Sequence, residues 1–209
     1  MADDLDWVAY AEAREALGFS AGDTTLADLF ATYITGVSRR LDEYAGPAVL
    51  RVVSGELHDG GRRSITLDQS PVTEITALTE YDGATATTIT GHTLGDAHPS
   101  EGFTVDLSSG IVRRFASGAG SRFCPGHQNI EVTYTAGRVA DTAGVDPLFV
   151  EQAIVTLDVW WNRNRPGLVT EGEFETPGAR FPRFAIPNHT VEALRHHRRE
   201  LGQSALGVG

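Results

Sequence analysis

Not one lysine occurs among the 209 residues; all 17 basic side chains are arginine. We read this as the mark of a GC-rich coding genome, not of a function. Cysteine is reduced to Cys124, which excludes an intramolecular disulfide framework and fits a reducing compartment. No apolar run approaches the roughly 18–20 residues that a membrane span needs. The opening MADDLDWVAYAEA has neither the cationic region nor the apolar core of a secretion signal. A basic surplus is missing too: 28 acidic residues outweigh the arginines and leave a formal charge of −11. That balance argues against a general nucleic-acid binder, which needs a basic surface. Also missing are a G-x-S-x-G elbow, an H-E-x-x-H pair and a kinase signature.

Charge is spread unevenly. The first thirty residues hold Asp3, Asp4, Asp6, Glu12, Glu15, Asp23 and Asp28 against Arg14. The last thirty hold Arg180, Arg183, Arg195, Arg198 and Arg199 against Glu192 and Glu200. Such polarity suits a protein that contacts different things at its two ends, although two solvated helices of opposite charge would read the same way.

Apolar periodicity predicts a helix over Asp4–Leu17, with Leu5, Val8, Ala9, Ala13, Ala16 and Leu17 on one face and Gly18 as its stop. A second helix opens at Thr25-Leu-Ala-Asp28, which resembles a capping box, and runs to Gly46-Pro47. Its face is Leu26, Leu29, Phe30, Tyr33, Val37, Leu41 and Tyr44. From Ala48 the period changes to two. Strands are expected near Val49–Ser54, Ser64–Leu67, Val72–Tyr81, Thr85–Thr90, Phe103–Leu107, Ile111–Phe115 and Asn129–Thr135, separated by Gly-rich turns. Segment 84–100 is poor in apolar residues and reads as a hairpin or plain loop.

Asp146-Pro147 then starts a long helix, with Asp as N-cap and Pro at the first helical position. Phe149, Val150, Ala153, Ile154, Leu157, Trp160 and Trp161 recur along it, with Arg163 and Arg165 in the last turn. Neighbouring residues on a helix differ by about 100°, so one tryptophan is expected inside, and the other is read either as simply covering the sheet or as an outward-facing interface anchor. Beyond Arg165 lies a Pro-containing stretch with Phe174, Phe181, Phe184 and Ile186 spaced through it. It reads as an arm that orders against a partner or against its own subunit. Asn188 is expected to cap a last helix, His189–Leu201.

The expected architecture is α+β. Residues 1–47 form an N-terminal helical part, 48–137 a small antiparallel β region, 138–165 a core helix, and 166–209 a C-terminal arm and short helix. The two N-terminal helices and the helix after 146 make the helical core, into which the β region is inserted. No cofactor and no catalytic residue is expected. Metal binding is a weaker alternative: Cys124 and His127 sit on a turn, and His92, Asp96 and His98 are scattered, without the paired spacing of zinc sites. Gly118-Ala-Gly-Ser121 lacks the following helix that a phosphate loop requires and reads as a turn.

Four pieces of the chain together resemble the head-to-tail adaptor (head–tail connector) family of long-tailed phages. They are Ser38-Arg-Arg-Leu-Asp-Glu-Tyr-Ala-Gly46; Asp59-Gly-Gly with Ile65-Thr-Leu-Asp-Gln-Ser-Pro-Val72 and Ile75; Ser109-Gly-Ile111 with Ile130-Glu-Val-Thr-Tyr-Thr-Ala-Gly137; and Asp146-Pro-Leu followed by the helix with Ala153 and Trp160-Trp161. The resemblance spans residues 25–165. It departs from the family at Asp146-Pro147, where a second Pro is common, and in the length of 84–100.

The resemblance implies a structural virion protein and no enzyme: a ring, usually of twelve subunits, docked beneath the portal. The ring extends the DNA channel and carries the next neck (stopper) protein or the tail. Genome DNA passes through without specific binding. The implied location is the virion neck, with assembly in the host cytoplasm. Another neck or tail-completion protein is the related alternative; a metal-binding enzyme or ligand module is the distant one. Hot-spot chemistry and the apolar, basic character of the arm make the expected portal or subunit interface residues Trp160, Trp161, Arg163, Arg165, Phe181, Arg183, Phe184, Ile186, Arg195, Arg198 and Arg199.

Overall fold

The computed structural model describes residues 4–20, 26–92, 101–164 and 184–197. The fold is α+β. The described residues divide into two compact units: those up to residue 49 together with those from 139 onward, and those between 50 and 138.

The first unit is helical. Helix α1 covers Tyr10–Ala16, α2 Ala27–Ala45, α3 Pro147–Asn164 and α4 Asn188–Ala193. Phe30, Ile34, Val37 and Leu41 of α2 meet Phe149, Ala153, Leu157 and Trp161 of α3 in one apolar cluster. The expected first helix is too long. Residues 4–9 are held by tertiary contacts, because Trp7 is completely buried, its N–H donates to Ser38 Oγ at 3.0 Å and its indole to Asp42 Oδ1 at 2.6 Å. The bonds that α2 offers Trp7 outweigh the short helical repeat in the preceding residues.

Two caps differ from expectation. The residue preceding α2 is Leu26, left-handed at φ 70° and without a side-chain cap; Thr25 lies outside the described residues. Pro187, not Asn188, precedes α4, and a 3₁₀ turn over Arg195–His197 follows it. The remainder of the expected helix to Leu201 lies outside the described residues.

The second unit is built from two antiparallel sheets. Strands β1 (Arg51–His58), β3 (Val72–Asp82), β4 (Thr85–Thr88) and β8 (Ile130–Ala136) form one, in the order β1-β8-β3-β4. Strands β2 (Ser64–Thr66), β5 (Glu101–Asp106) and β6 (Ile111–Ala116) form the other, in the order β2-β6-β5, with β7 (Ala119–Gly120) paired to β6. Strand β8 alternates as expected for a half-buried strand: Ile130, Val132, Tyr134 and Ala136 are buried, and the residues between them are not. These side chains join Leu67, Leu78, Phe103, Val112 and Phe123 in a second core between the sheets.

Strand β1 continues four residues past its expected end. The bulge between Val53 and Glu56 lets it keep pairing with β8 after Gly55 interrupts the alternation. The Gly118 segment is a turn, as expected, but Ala119-Gly120 also pair back onto β6; Ser117 and Gly118 both take positive φ, the geometry of a tight hairpin.

Candidate interaction surfaces

The C-terminal half of α3 carries several of the expected interface residues. Its start is as expected: Asp146 Oδ1 accepts the Leu148 N–H at 2.8 Å, and Pro147 opens the helix. Trp160 and Trp161 are both buried, at 5% and 3% exposure. The reading of one of them as an outward-facing interface anchor is therefore corrected. Helix α3 is covered on more than one side, which a pattern on one strip of sequence does not disclose.

Trp161 is ringed edge-on by Phe19, Phe30 and Tyr33, with centroids 5.6, 5.2 and 5.6 Å away. Its indole N–H finds no acceptor among the described residues. Trp160 turns toward the returning chain, where its indole N–H donates to Ala185 O at 3.0 Å and its ring meets Phe184 at 5.1 Å. Thr156 and Thr190, both buried, tie α3 to α4 at 3.4 Å.

Other expected site residues lie near this cluster. Phe184 remains 50% exposed while its ring rests against Trp160 and Tyr33. Ile186 is half-buried and packs against the helical core. Arg163 is exposed in the last turn of α3; Arg195 is exposed and 3.4 Å from Glu192 Oε1. Arg165, Phe181, Arg183, Arg198 and Arg199 lie outside the described residues, as does Phe174. The structure thus gathers Trp160, Trp161, Phe184 and Ile186 into one aromatic and apolar assembly, with Phe184 as its exposed edge. The fully buried Trp7, its ring tilted against Phe149 at 4.9 Å, is missed by periodicity because it lies outside any helix.

In the second unit, a groove of about 890 Å³ opens beside Leu57, His58, Arg62, Arg63, Arg122 and His127, with strand β2 along one side. The two turns that carry its lining residues are tied together by backbone bonds. Gly60 N–H donates to Gly126 O and Gly61 N–H to Phe123 O, each at 3.0 Å. A Cβ on Gly60 would lie 1.7 Å from Cys124 O, so only glycine allows this approach. Arg122 Nη1 donates to Gly61 O at 2.8 Å. The one carboxylate, Asp59, accepts the Gln128 N–H at 2.8 Å and lies 2.7 Å from His127 Nδ1; these bonds hold it below the ordinary aspartate range.

Nearby on β1, the Glu56 side chain is nearly buried. Tyr134 donates to its Oε2 at 2.5 Å, the Asp68 N–H donates to its Oε1 at 2.8 Å, and His58 Nε2 lies 2.6 Å from the same Oε1. Burial pushes the Glu56 carboxyl up, but the contacts with His58, Tyr134 and Asp68 together outweigh it and hold the group below its ordinary value.

Among the described residues, no three His, Cys, Asp or Glu side chains converge as a metal-ligand set. His127 faces Asp59, and desolvation with the nearby Asp82 and Glu80 carboxylates pushes the Cys124 thiol up, disfavouring the thiolate that binds metals. Asp96 and His98 lie outside the described residues. No helix among the described residues is long and apolar enough to cross a membrane.

The fold class is thus a helical unit joined to a two-sheet β unit. No protein-family model matches the chain, and no curated protein matches it significantly. Solved structures do. One chain in a structure titled "Virion of native gene transfer agent (GTA) particle" superposes with a TM-score of 0.59, and one in "Neck of empty GTA particle computed with C6 symmetry" with 0.58. Each is 15% identical to this chain, and each match covers 95% of this chain and 92% of the other. At that identity the likeness establishes a common fold.

Proposed function

We propose that this chain is a structural neck protein of a tailed-phage-like particle: a head-to-tail adaptor whose copies close into a ring of twelve on the portal. The observation that carries the reading is the fold shared, over nearly the whole of both chains, with a protein in the neck of a gene transfer agent particle. The order of the four sequence motifs supports it independently. The ring extends the DNA channel and presents a platform to the next neck protein or the tail. Its role is mechanical and needs no enzyme chemistry.

A closed ring with head-to-tail interfaces needs two different, complementary surfaces on each subunit. The helical and β units provide chemically distinct ones. The exposed Phe184, with Arg163, Arg195, Phe181 and the arginines at 183, 198 and 199, supplies the grip on the portal. The acidic excess repels phosphates and keeps the genome from adhering as it passes.

Electron microscopy of the chain mixed with portal-bearing capsids is the direct test. The expected result is a twelve-fold ring beneath the portal with acidic side chains along its lumen; absence of a ring, or a basic lumen, refutes the respective statement. Truncation after Arg165 should abolish co-sedimentation with portal, and unchanged binding would remove the segment from the interface.

A further inference from the structure

The groove of the β unit lies at the junction of two sheet edges. Strand β1 ends one sheet and β2 ends the other, and Leu57–His58 of β1 and Ser64–Thr66 of β2 both line the opening. An edge strand presents alternate N–H and C=O groups that no neighbouring strand has taken. Such an edge pairs with an extended peptide and not with a helix.

Charge narrows the occupant. Arg62, Arg63 and Arg122 all line the groove, and neither Arg62 nor Arg63 reaches ion-pair distance of a carboxylate among the described residues, although the Arg62 charge helps to lower the Asp59 carboxyl. The carboxylate of Asp59 is already engaged by Gln128 and His127. In a chain of net charge −11, this is a local cationic site in an otherwise acidic protein. Long polyanions are repelled by that overall charge. A short acidic peptide presents its carboxylates locally, and guanidinium groups bind carboxylates through paired hydrogen bonds.

The sequence contains one segment of matching chemistry. Thr170-Glu-Gly-Glu-Phe-Glu-Thr176 has glutamates at every second position, and no basic residue occurs from Pro166 to Ala179. Along an extended chain, Glu171, Glu173 and Glu175 fall on one side. We propose that the Arg62–Arg63–Arg122 groove of one copy receives residues 170–176 of a second copy. Backbone pairing to a strand edge supplies affinity, and the three glutamates facing the three arginines supply register. This rests on the ring reading, for which it provides a head-to-tail contact. It leaves Phe181 and Phe184, farther along the chain, for the portal.

The test uses a fluorescent synthetic peptide of residues 168–176 and the full chain carrying Glu171→Gln, Glu173→Gln and Glu175→Gln, so that its own segment does not compete. We expect saturable binding that weakens with added salt. Arg62→Glu with Arg63→Glu should weaken it at least tenfold, and Arg62→Gln with Arg63→Gln less. Far-ultraviolet circular dichroism verifies that each variant is folded. Lack of peptide binding, or equal binding by the arginine-reversed chain, overturns the inference. So does a 20-base-pair DNA duplex that binds through the same arginines when the peptide does not. The ring reading is judged separately by microscopy: rings that form with no peptide binding leave it standing, whereas peptide binding without rings supports the groove alone.

Discussion

Glu56 shows how one residue ties strands β1 and β8 to the loop that follows β2. Its carboxylate is the acceptor for Tyr134, and the Tyr134 hydroxyl in turn accepts the Gln69 N–H at 3.0 Å. Burial, followed by the bond to Glu56, pushes the Tyr134 hydroxyl strongly up, so it remains a protonated donor at every working pH. The folded-state value of Glu56 is depressed. Its contribution to stability is therefore fully present above the unfolded glutamate value, about 4.3, and is lost as pH falls through the folded value. Thermal melting followed from pH 6 downwards should show a loss of stability below about pH 4–5 that is smaller in Glu56→Gln. Tyr134→Phe removes one of the donors to a nearly buried carboxylate, the one that serves Oε2, and should cost about 1.5–3 kcal/mol in urea unfolding at neutral pH. A change within error would show that water replaces the hydroxyl without loss.

At the scale of elements, α3 decides how the helical unit holds the returning chain. Its two tryptophans divide the work: Trp161 fills the aromatic cluster with Phe19 and Phe30, and Trp160 carries the single indole bond to Ala185. Trp161→Ala should destabilise by about 3–5 kcal/mol, as large-to-small core changes do. Trp160→Phe keeps most of the apolar volume but leaves Ala185 O without its donor. The expected signature is local: faster amide hydrogen exchange across 185–194, with a smaller change in α1 and α2. Uniform acceleration throughout the unit would instead mean that Trp160 acts as general core.

The fold class, the Asp146–Pro147 start of α3 and the alternation of β8 were legible because each is written in local chemistry. The burial of both tryptophans and the short α1 were not. A helix covered on two sides and a loop pinned by Trp7 depend on partners far away in the chain.

For the molecule as a whole, two separate apolar cores imply two folding units. The ends of the β unit are brought side by side by the pairing of Arg51 with Ala136, and the helical unit is closed at the same points by the Val49–Val139 bridge and the Val139 N–H to Ala48 O bond at 3.0 Å. A fragment of residues 50–138 should therefore fold alone and unfold cooperatively in urea with dispersed amide resonances. A broad, non-cooperative transition would show that its core needs the helices. The complementary deletion, joining Val49 to Val139 through a short Gly-Ser linker, should retain helical circular dichroism.

Local sequence determined the positions of the long helices, most strands and the acidic character, because apolar period, capping residues and charge act over a few neighbouring positions. Tertiary structure alone decided where the arginines meet. Arg62 and Arg122 are 60 residues apart in the chain and share a groove because glycine at position 60 lets the backbone of residues 59–61 close onto residues 123–126. No periodicity records that approach; it is set by strand pairing and by the space that a missing Cβ leaves.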